Sequence, residues 1–544
     1  MAELTLGAIG LVGVVDVCWK WGKKLLETCD AFRRADAQLD EHICRLEARW
    51  LRVEGQLQML SKMDPLIDRH HRAVQQRSLE IVLAKVKAAV AKLEALIETQ
   101  GPGAKPELKK LKYAIFKDGV ADIISDIEQW QQIFDPSWFL MLRIADPQVD
   151  TLLAAAASAS TKQGLSPSTS SLPAAKSMRR AIKSSTAGTS GSKKTVTYMF
   201  LDGLVPGSIR PIPFSTASTA VRGDKRLTVV LDPVTCASRT SLNAMNRDIR
   251  NFALSLNGAN PLLFGLLDCK GILREQADAE AATGSRAIPT TVKLPAFLFR
   301  LPESHSHLES LRGRLLDGAH RAHHSLSERF ALARQMATAV CYVHLYGFVH
   351  KNIRPETILL CHPSRNVEGL AGEIVTLVGF DVLRDAEGKT SRIGDNDWEK
   401  NLYRHPQRQG LSLQFDYEMR HDIYSLGVCL LEIGLWESFV DYGANSSVPV
   451  LGRGLAVSGG DMSGPDLLKD PEWAKDYLLS LARGPPLRRQ MGTVYGRVVE
   501  TCLTCLDKDN VDFGDEKEFQ DEDGVAVDVR YIEKVLMKLG EITA

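Results

Sequence analysis

In the first part of the chain, apolar residues recur in steps of about four and three. Leu39, Ile43, Leu46, Trp50, Val53, Leu57 and Leu60 form one series, and Leu79, Leu83, Val86, Val90, Leu93 and Ile97 form a second. Steps of this size put every apolar side chain on one stripe, so each series predicts an α-helix with a narrow seam facing its neighbours. Residues 101–106 read GPGAKP, a break. A further helical stretch is expected from about Glu107 through Trp130 to Phe134. Residues 1–150 therefore read as an all-α helical bundle.

The periodicity then stops. Residues 151–195 carry AAAASASTKQGLSPSTSSLPAAK and SSTAGTSGSKK, small polar runs that predict a low-complexity linker with a short helix around Met178 to Ile182. After it come three short apolar runs, RLTVVLD (Arg226 to Asp232), LLFGLLDC (Leu262 to Cys269) and KLPAFLFRL (Lys293 to Leu301), each expected as a strand. RTSLNAMNRDIRNFALSLN, between the first two, has helical spacing. SLSERFALARQMATAVCYVHLYG opens on Ser325 and closes on Gly347, as helix caps require. The layout is a β-rich small lobe over about 196–303 and an α-rich large lobe over about 304–544.

Charge narrows the partners. Lys+Arg and Asp+Glu both number 67, so no global field favours nucleic acid. The 10 cysteines are scattered, which fits reduced thiols inside a cell. Cys502 and Cys505 form a CxxC with no second pair for a metal, so two buried thiols on a helix are expected. The run from Leu4 to Val15 is apolar and ends at Asp16. It is shorter than the roughly 20 residues a spanning helix needs. A secretory signal would carry basic residues where Glu3 stands. A buried bundle helix is the first expectation. The alternative is a membrane-active segment of Leu4, Leu6, Ile9, Leu11, Val12 and Val15, with Asp16 as a brake on entry and Trp19, Lys20, Trp21, Lys23 and Lys24 at the interface.

Four strings further along share one theme. YVHLYGFVHKNIRPETILL resembles the protein-kinase catalytic loop, H-R-D-L-x-x-x-N. VTLVGFDVL falls where kinases carry D-F-G, NLYRHPQRQ resembles the A-P-E segment, and HDIYSLGVCLLEIGLW resembles the helix that begins D-x-W/Y-S-x-G. The resemblance implies a bilobal α+β protein-kinase-like fold. It also implies that the chemistry has been replaced. Asn352 stands at the base, Arg354 and Thr357 at the loop's Lys and metal-binding Asn, and Gly379 at the metal-binding Asp. Asp232 takes the place of the nucleotide-binding Lys, and Asp248 that of its Glu partner. No Gly-rich phosphate loop precedes TVVLD. His350, Phe380, Asp422, Tyr424 and Gly427 are retained as scaffold. The expectation is a pseudokinase without cofactor or metal; an atypical kinase recruiting Asp381 is the enzymatic rival.

The first 150 residues, with their Gly-containing apolar start and FDPSWFLMLRIADPQVD, resemble the HeLo (prion-inhibition and propagation) domains of fungal proteins. The whole layout resembles the mixed-lineage kinase domain-like pseudokinases. These likenesses imply a role in programmed cell death or heterokaryon incompatibility. They imply a cytoplasmic resting protein, an upstream receptor or other protein partner, and a cue in the linker or in Val382 to Gln409. On activation they imply a homo-oligomer that meets membrane lipid, at the plasma membrane. The C-terminal DVRYIEKVLMKLGEITA has no Asn/Gln-rich or Gly-rich amyloid pattern. A cytosolic interaction scaffold is the non-membrane alternative.

Overall fold

The computed structural model describes residues 10–30, 37–95, 97–98, 107–108, 134–143, 146–162, 171–186, 196–223, 227–234, 242–274, 295–317, 324–364, 372–380, 396–411, 415–443, 448–455, 463–514 and 525–542. The chain divides into two compact units, Met1–Arg180 and Ala181–Ala544.

In the first unit, α1 (Leu11–Asp30) packs on α2 (Ala37–Met63) and α3 (Arg69–Glu94). The two predicted seams form its core: Ile43, Leu46, Trp50, Leu57, Leu60, Leu79, Leu83, Val86, Val90 and Leu93 are all buried. The closest approach is at Gly22, where a Cβ would lie 1.6 Å from the Trp50 indole. Cys18 adds a buried thiol that donates to the Leu79 carbonyl at 3.5 Å, and burial pushes its pKa up to about 12. Ile97 leaves the helical series. It sits in β1 (Ile97–Glu98), which pairs antiparallel with β2 (Glu107–Leu108), so the helix expected from Glu107 begins instead as a strand. Residues 109–133 lie outside the described residues.

A helical turn at 134–140, α4, supplies Phe134, Trp138 and Phe139 to the core. The buried Asp135 accepts from Gln56 Nε2 at 2.7 Å and pairs with Arg52. The expected linker is helical over much of its length. It contains most of α5 (Gln148–Lys162) and all of α6 (Leu172–Thr186), and the buried Arg179 donates to Asp150 at 3.3 Å. Alanine is the strongest helix former, and Leu172, Ala175 and Met178, three apart, make a buried stripe that average polarity conceals.

In the second unit, six strands form one sheet in the order β3-β7-β8-β6-β5-β4: β3 Tyr198–Phe200, β4 Arg210–Pro211, β5 Ser218–Arg222, β6 Leu227–Pro233, β7 Asp268–Arg274 and β8 Ala296–Arg300. Only β3 and β7 run parallel. Val229, Leu231, Leu273, Ala296 and Leu298 make the core on one face, and the predicted helix, α7 (Leu242–Ser255), contacts β7. One expected strand is corrected. Asn260 caps a helical turn, α8 (Pro261–Phe264), and Gly265 ends it at φ +61°, so LLFGLLDC becomes strand only at Asp268. The Asn-Pro start and Gly stop override the apolar run.

The large lobe continues through β9 (His305–Ser310), α9 (Leu311–Leu316), α10 (Leu326–Leu345), β10 (Ile358–Pro363) and β11 (Ile374–Leu377). After these come α11 (Trp398–Asn401), α12 (Met419–Leu435), β12 (Val440–Tyr442), β13 (Pro449–Leu451), α13 (Gly464–Leu467), α14 (Pro471–Arg483), α15 (Pro485–Leu503) and α16 (Val525–Tyr531). α10 starts at Ser325 as expected, and there Ser325 and Glu328 form a reciprocal capping box. The chain is an N-terminal helical bundle followed by an α+β bilobal protein-kinase-like fold.

Replacing Gly22 by alanine forces a methyl group into the Trp50 ring. The expected loss is about 1–3 kcal/mol from the first unit, read by urea unfolding with indole fluorescence. An unchanged unfolding curve would contradict the packing described.

Candidate functional site between the two lobes

The loop after α10 is held from beneath by one carboxylate. Asp422, in the first turn of α12, is fully buried and accepts from the backbone N–H of His350 at 2.7 Å and of Lys351 at 2.9 Å. His344 Nε2 at 3.2 Å and the Tyr417 hydroxyl at 2.6 Å also bond it. Burial alone would raise its pKa. The His344 hydrogen bond and charge, His350 and the Tyr417 hydroxyl outweigh that and hold it below the usual carboxylate range. The clamp keeps Lys351 at φ +66°, a left-handed conformation uncommon outside glycine.

Above the clamp, the positions expected to be replaced bond to one another. Asn352 Nδ2 donates to the Gly379 carbonyl at 2.9 Å, and Gly379 N–H donates to Asp232 Oδ2 at 2.8 Å. Asn352 Oδ1 accepts from Arg354 Nε at 2.9 Å, and the Thr357 hydroxyl donates to the Asn352 carbonyl at 2.7 Å. Five of the six altered positions thus form one hydrogen-bonded set, anchored in the small-lobe sheet by Asp232 on β6. Gly379 adopts φ +75°, and a Cβ there would sit 2.4 Å from Thr357 Cγ2, so glycine is required by both backbone and space. Asp248 is on α7, but its side chain lies outside the described residues, as does Asp381.

The residues expected as scaffold make packing contacts around the loop. Phe380 lies between His350, 4.4 Å away by ring centroids, and Phe252 of α7 at 4.5 Å, and Phe252 meets Phe297 of β8 at 5.2 Å. This aromatic column ties sheet, helix and loop together. Tyr424 packs edge-on against His405 at 5.0 Å. Gly427 lets α12 and α15 touch: a Cβ there would be 2.8 Å from that of Cys502. Cys502 and Cys505 are both buried, and burial pushes both thiols up. Cys502 is on α15, whereas Cys505 lies just past its end and donates to the Arg420 carbonyl at 3.1 Å.

Of the membrane segment, Leu4, Leu6 and Ile9 lie outside the described residues. Leu11 and Val15 are buried, while Val12, Asp16 and Trp19 are exposed. Trp19 Nε1 donates to Glu54 at 2.7 Å, and Lys24 pairs with Glu94 at 2.9 Å.

Sequence reasoning missed a second centre. The fully buried Arg312 of α9 bonds Glu356 at 3.0 Å and Glu432 at 2.8 Å, and also contacts Tyr403 and Ser438. Glu356 also faces Arg354 at 3.3 Å. Against the effect of burial, Arg312 and Arg354 hold Glu356 low, while burial leaves Glu432 raised. The members lie at 312, 356, 403, 432 and 438, separations with no periodic signal. At the lobe edge, Glu309, His362 and Glu373 bring ligand atoms within 4.8 Å of one another. Arg314 already donates to both carboxylates, at 2.8 Å to Glu309 and 3.0 Å to Glu373, so a guanidinium supplies the positive charge there.

No protein-family model matches the chain. A stretch of 105 residues, 18% of the chain, is 30% identical to mouse eukaryotic translation initiation factor 2-alpha kinase 1. That match spans 16% of the kinase's own length. It agrees with the kinase-like architecture.

Two predictions follow from the buried polar groups. Asp422→Asn would turn an NH2 group toward donors, with a loss of about 3 kcal/mol measured by denaturant unfolding; retention of full stability would refute the clamp. Burial and neighbouring cations depress His405 to about 2, and burial and Arg408 depress His421 to about 3. Both accept a backbone N–H at Nδ1, so both are neutral when folded. Unfolded histidine binds a proton below about pH 6.5, so these residues stabilise the fold above that pH. The contribution is lost on acidification, by up to about 1.4 kcal/mol per pH unit for each. Between pH 7 and 5 stability should fall, and the slope should flatten in the His405→Asn, His421→Asn double variant.

Proposed function

We propose that this protein is a non-catalytic signalling effector whose kinase-like domain works through contacts. The carrying observation is the mutual bonding of Asp232, Gly379, Asn352 and Arg354. Phosphoryl transfer needs a cation on the nucleotide phosphates, a carboxylate on magnesium and a base for the acceptor hydroxyl. Here an acid, a glycine and an amide occupy those positions. An amide has no useful basicity, and Asp232 would repel phosphate rather than anchor it.

The resemblance to HeLo domains supports a death or incompatibility effector in a fungal cytoplasm. A receptor or other protein partner would trigger it, and it would act as a homo-oligomer at the plasma membrane. In this reading α1 leaves α2 and α3, which requires breaking the Trp19–Glu54 tie to α2 and the Lys24–Glu94 tie to α3 and exposing Leu11, Val14 and Val15. Asp16 then sets the energetic barrier to entering hydrocarbon. Among the described residues no helix is long and apolar enough to cross a membrane. The burial of the apolar face of α1 supports a second reading, a scaffold with no membrane step.

Two experiments separate these readings. Purified protein with ATP and magnesium should transfer no phosphate to a peptide, and transfer abolished by altering Asp381 would establish an enzyme instead. Residues 1–180 fused to a fluorophore should concentrate at the cell periphery and reduce viability, and Leu11→Glu with Val12→Glu should abolish both effects. Diffuse fluorescence in healthy cells would leave the scaffold.

A further inference from the structure

The turn joining β4 to β5, residues 212–217, ends on the large lobe. It closes on itself through Ser215 N–H to Ile212 carbonyl and Ile212 N–H to Ala217 carbonyl, both at 3.1 Å. From its tip, the Pro213 carbonyl accepts from Ser310 Oγ at 2.7 Å. The Phe214 ring stands 5.5 Å from that of Tyr442 on β12, and its edge is 3.7 Å from where a Cβ on Gly313 would be. The Tyr442 hydroxyl donates to Glu356 at 3.2 Å. The tip of a small-lobe turn is therefore two contacts from the buried Arg312 centre.

Two features separate this from a casual surface contact. Phe214 has φ +53°, a left-handed conformation that is an outlier for a bulky residue and persists only where the surroundings enforce it. Ser310 is shared: the same hydroxyl that donates to Pro213 accepts from Gly313 N–H at 3.1 Å as the N-cap of α9, the helix that carries Arg312. Moving the turn therefore disturbs the cap of that helix.

We propose that residues 212–215 are a latch that fastens the small lobe to the large lobe and couples lobe closure to the Arg312–Glu356–Glu432 centre. Phe214 is 41% exposed. Its ring can be reached by an incoming partner, and its release uncovers little further apolar surface. Opening the latch frees the small-lobe sheet to change its contacts with a partner. The latch stands whether or not the domain transfers phosphate, so its test is independent of the functional reading above.

Hydrogen–deuterium exchange of the full chain tests it. Because the Phe214 side chain is half-exposed, Phe214→Ala should leave the fold and the melting temperature nearly unchanged. It should speed exchange about fivefold, the scale of a small local opening, in residues 212–217 and also across the gap in α9 and β12. Thr216→Ala, in the same turn but exposed, should change none of these. Ser310→Ala should reproduce the Phe214→Ala pattern. Faster exchange confined to residues 212–217, or equal effects of Thr216→Ala and Phe214→Ala, would overturn the latch.

Discussion

A single buried carboxylate organises the large lobe. Asp422 takes two successive backbone N–H groups, an imidazole and a phenol, and no ordinary loop sequence would hold residues 350–352 in that shape without it. A charged acceptor inside protein is stable only when its lone pairs are fully occupied. Four donors meet that condition, and the strained Lys351 follows from it. The position of Asn352 follows in turn, and with it the line of hydrogen bonds to Gly379 and Asp232.

The cleft is held by local hydrogen bonds among the kinase-motif positions. Among the described residues, five of the six positions expected to be altered have a local partner. The Asn352 amide bridges Gly379 and Arg354, Thr357 bonds the Asn352 carbonyl, and Asp232 receives the Gly379 N–H. These bonds are directional and fix the loop to the small-lobe sheet through Asp232 on β6. The aromatic column through Phe297, Phe252, Phe380 and His350 packs beside them and ties the sheet to the loop.

The Arg312 centre and the turn at 212–217 give the same domain a second set of ties between distant segments. A guanidinium shared by two buried carboxylates is sensitive to geometry, since removing either partner strands a charge. Such centres make a domain respond as a unit to displacement of one element. In the helical unit the corresponding constraint is steric: the Trp50 ring fills the space that a Cβ on Gly22 would need.

Local pattern alone placed much of the secondary structure. The seams on α2 and α3, the Ser325 start of α10, strands β6 and β8, and helix α7 were all legible, because periodicity and cap chemistry act within a few residues. Averages misled where a short stripe or punctuation governed: the short helix expected around Met178 extends back to Leu172 on the stripe of Leu172, Ala175 and Met178, and Asn260 with Gly265 makes a helical turn of an apolar run. The altered loop positions could be named from the order of motifs. That they bond to one another, that Arg312 finds Glu356 and Glu432, and that Phe214 reaches Tyr442 were decided only in three dimensions. Pairings across tens to more than two hundred residues leave no periodic trace, and a charge's partner is fixed by where the backbone brings it.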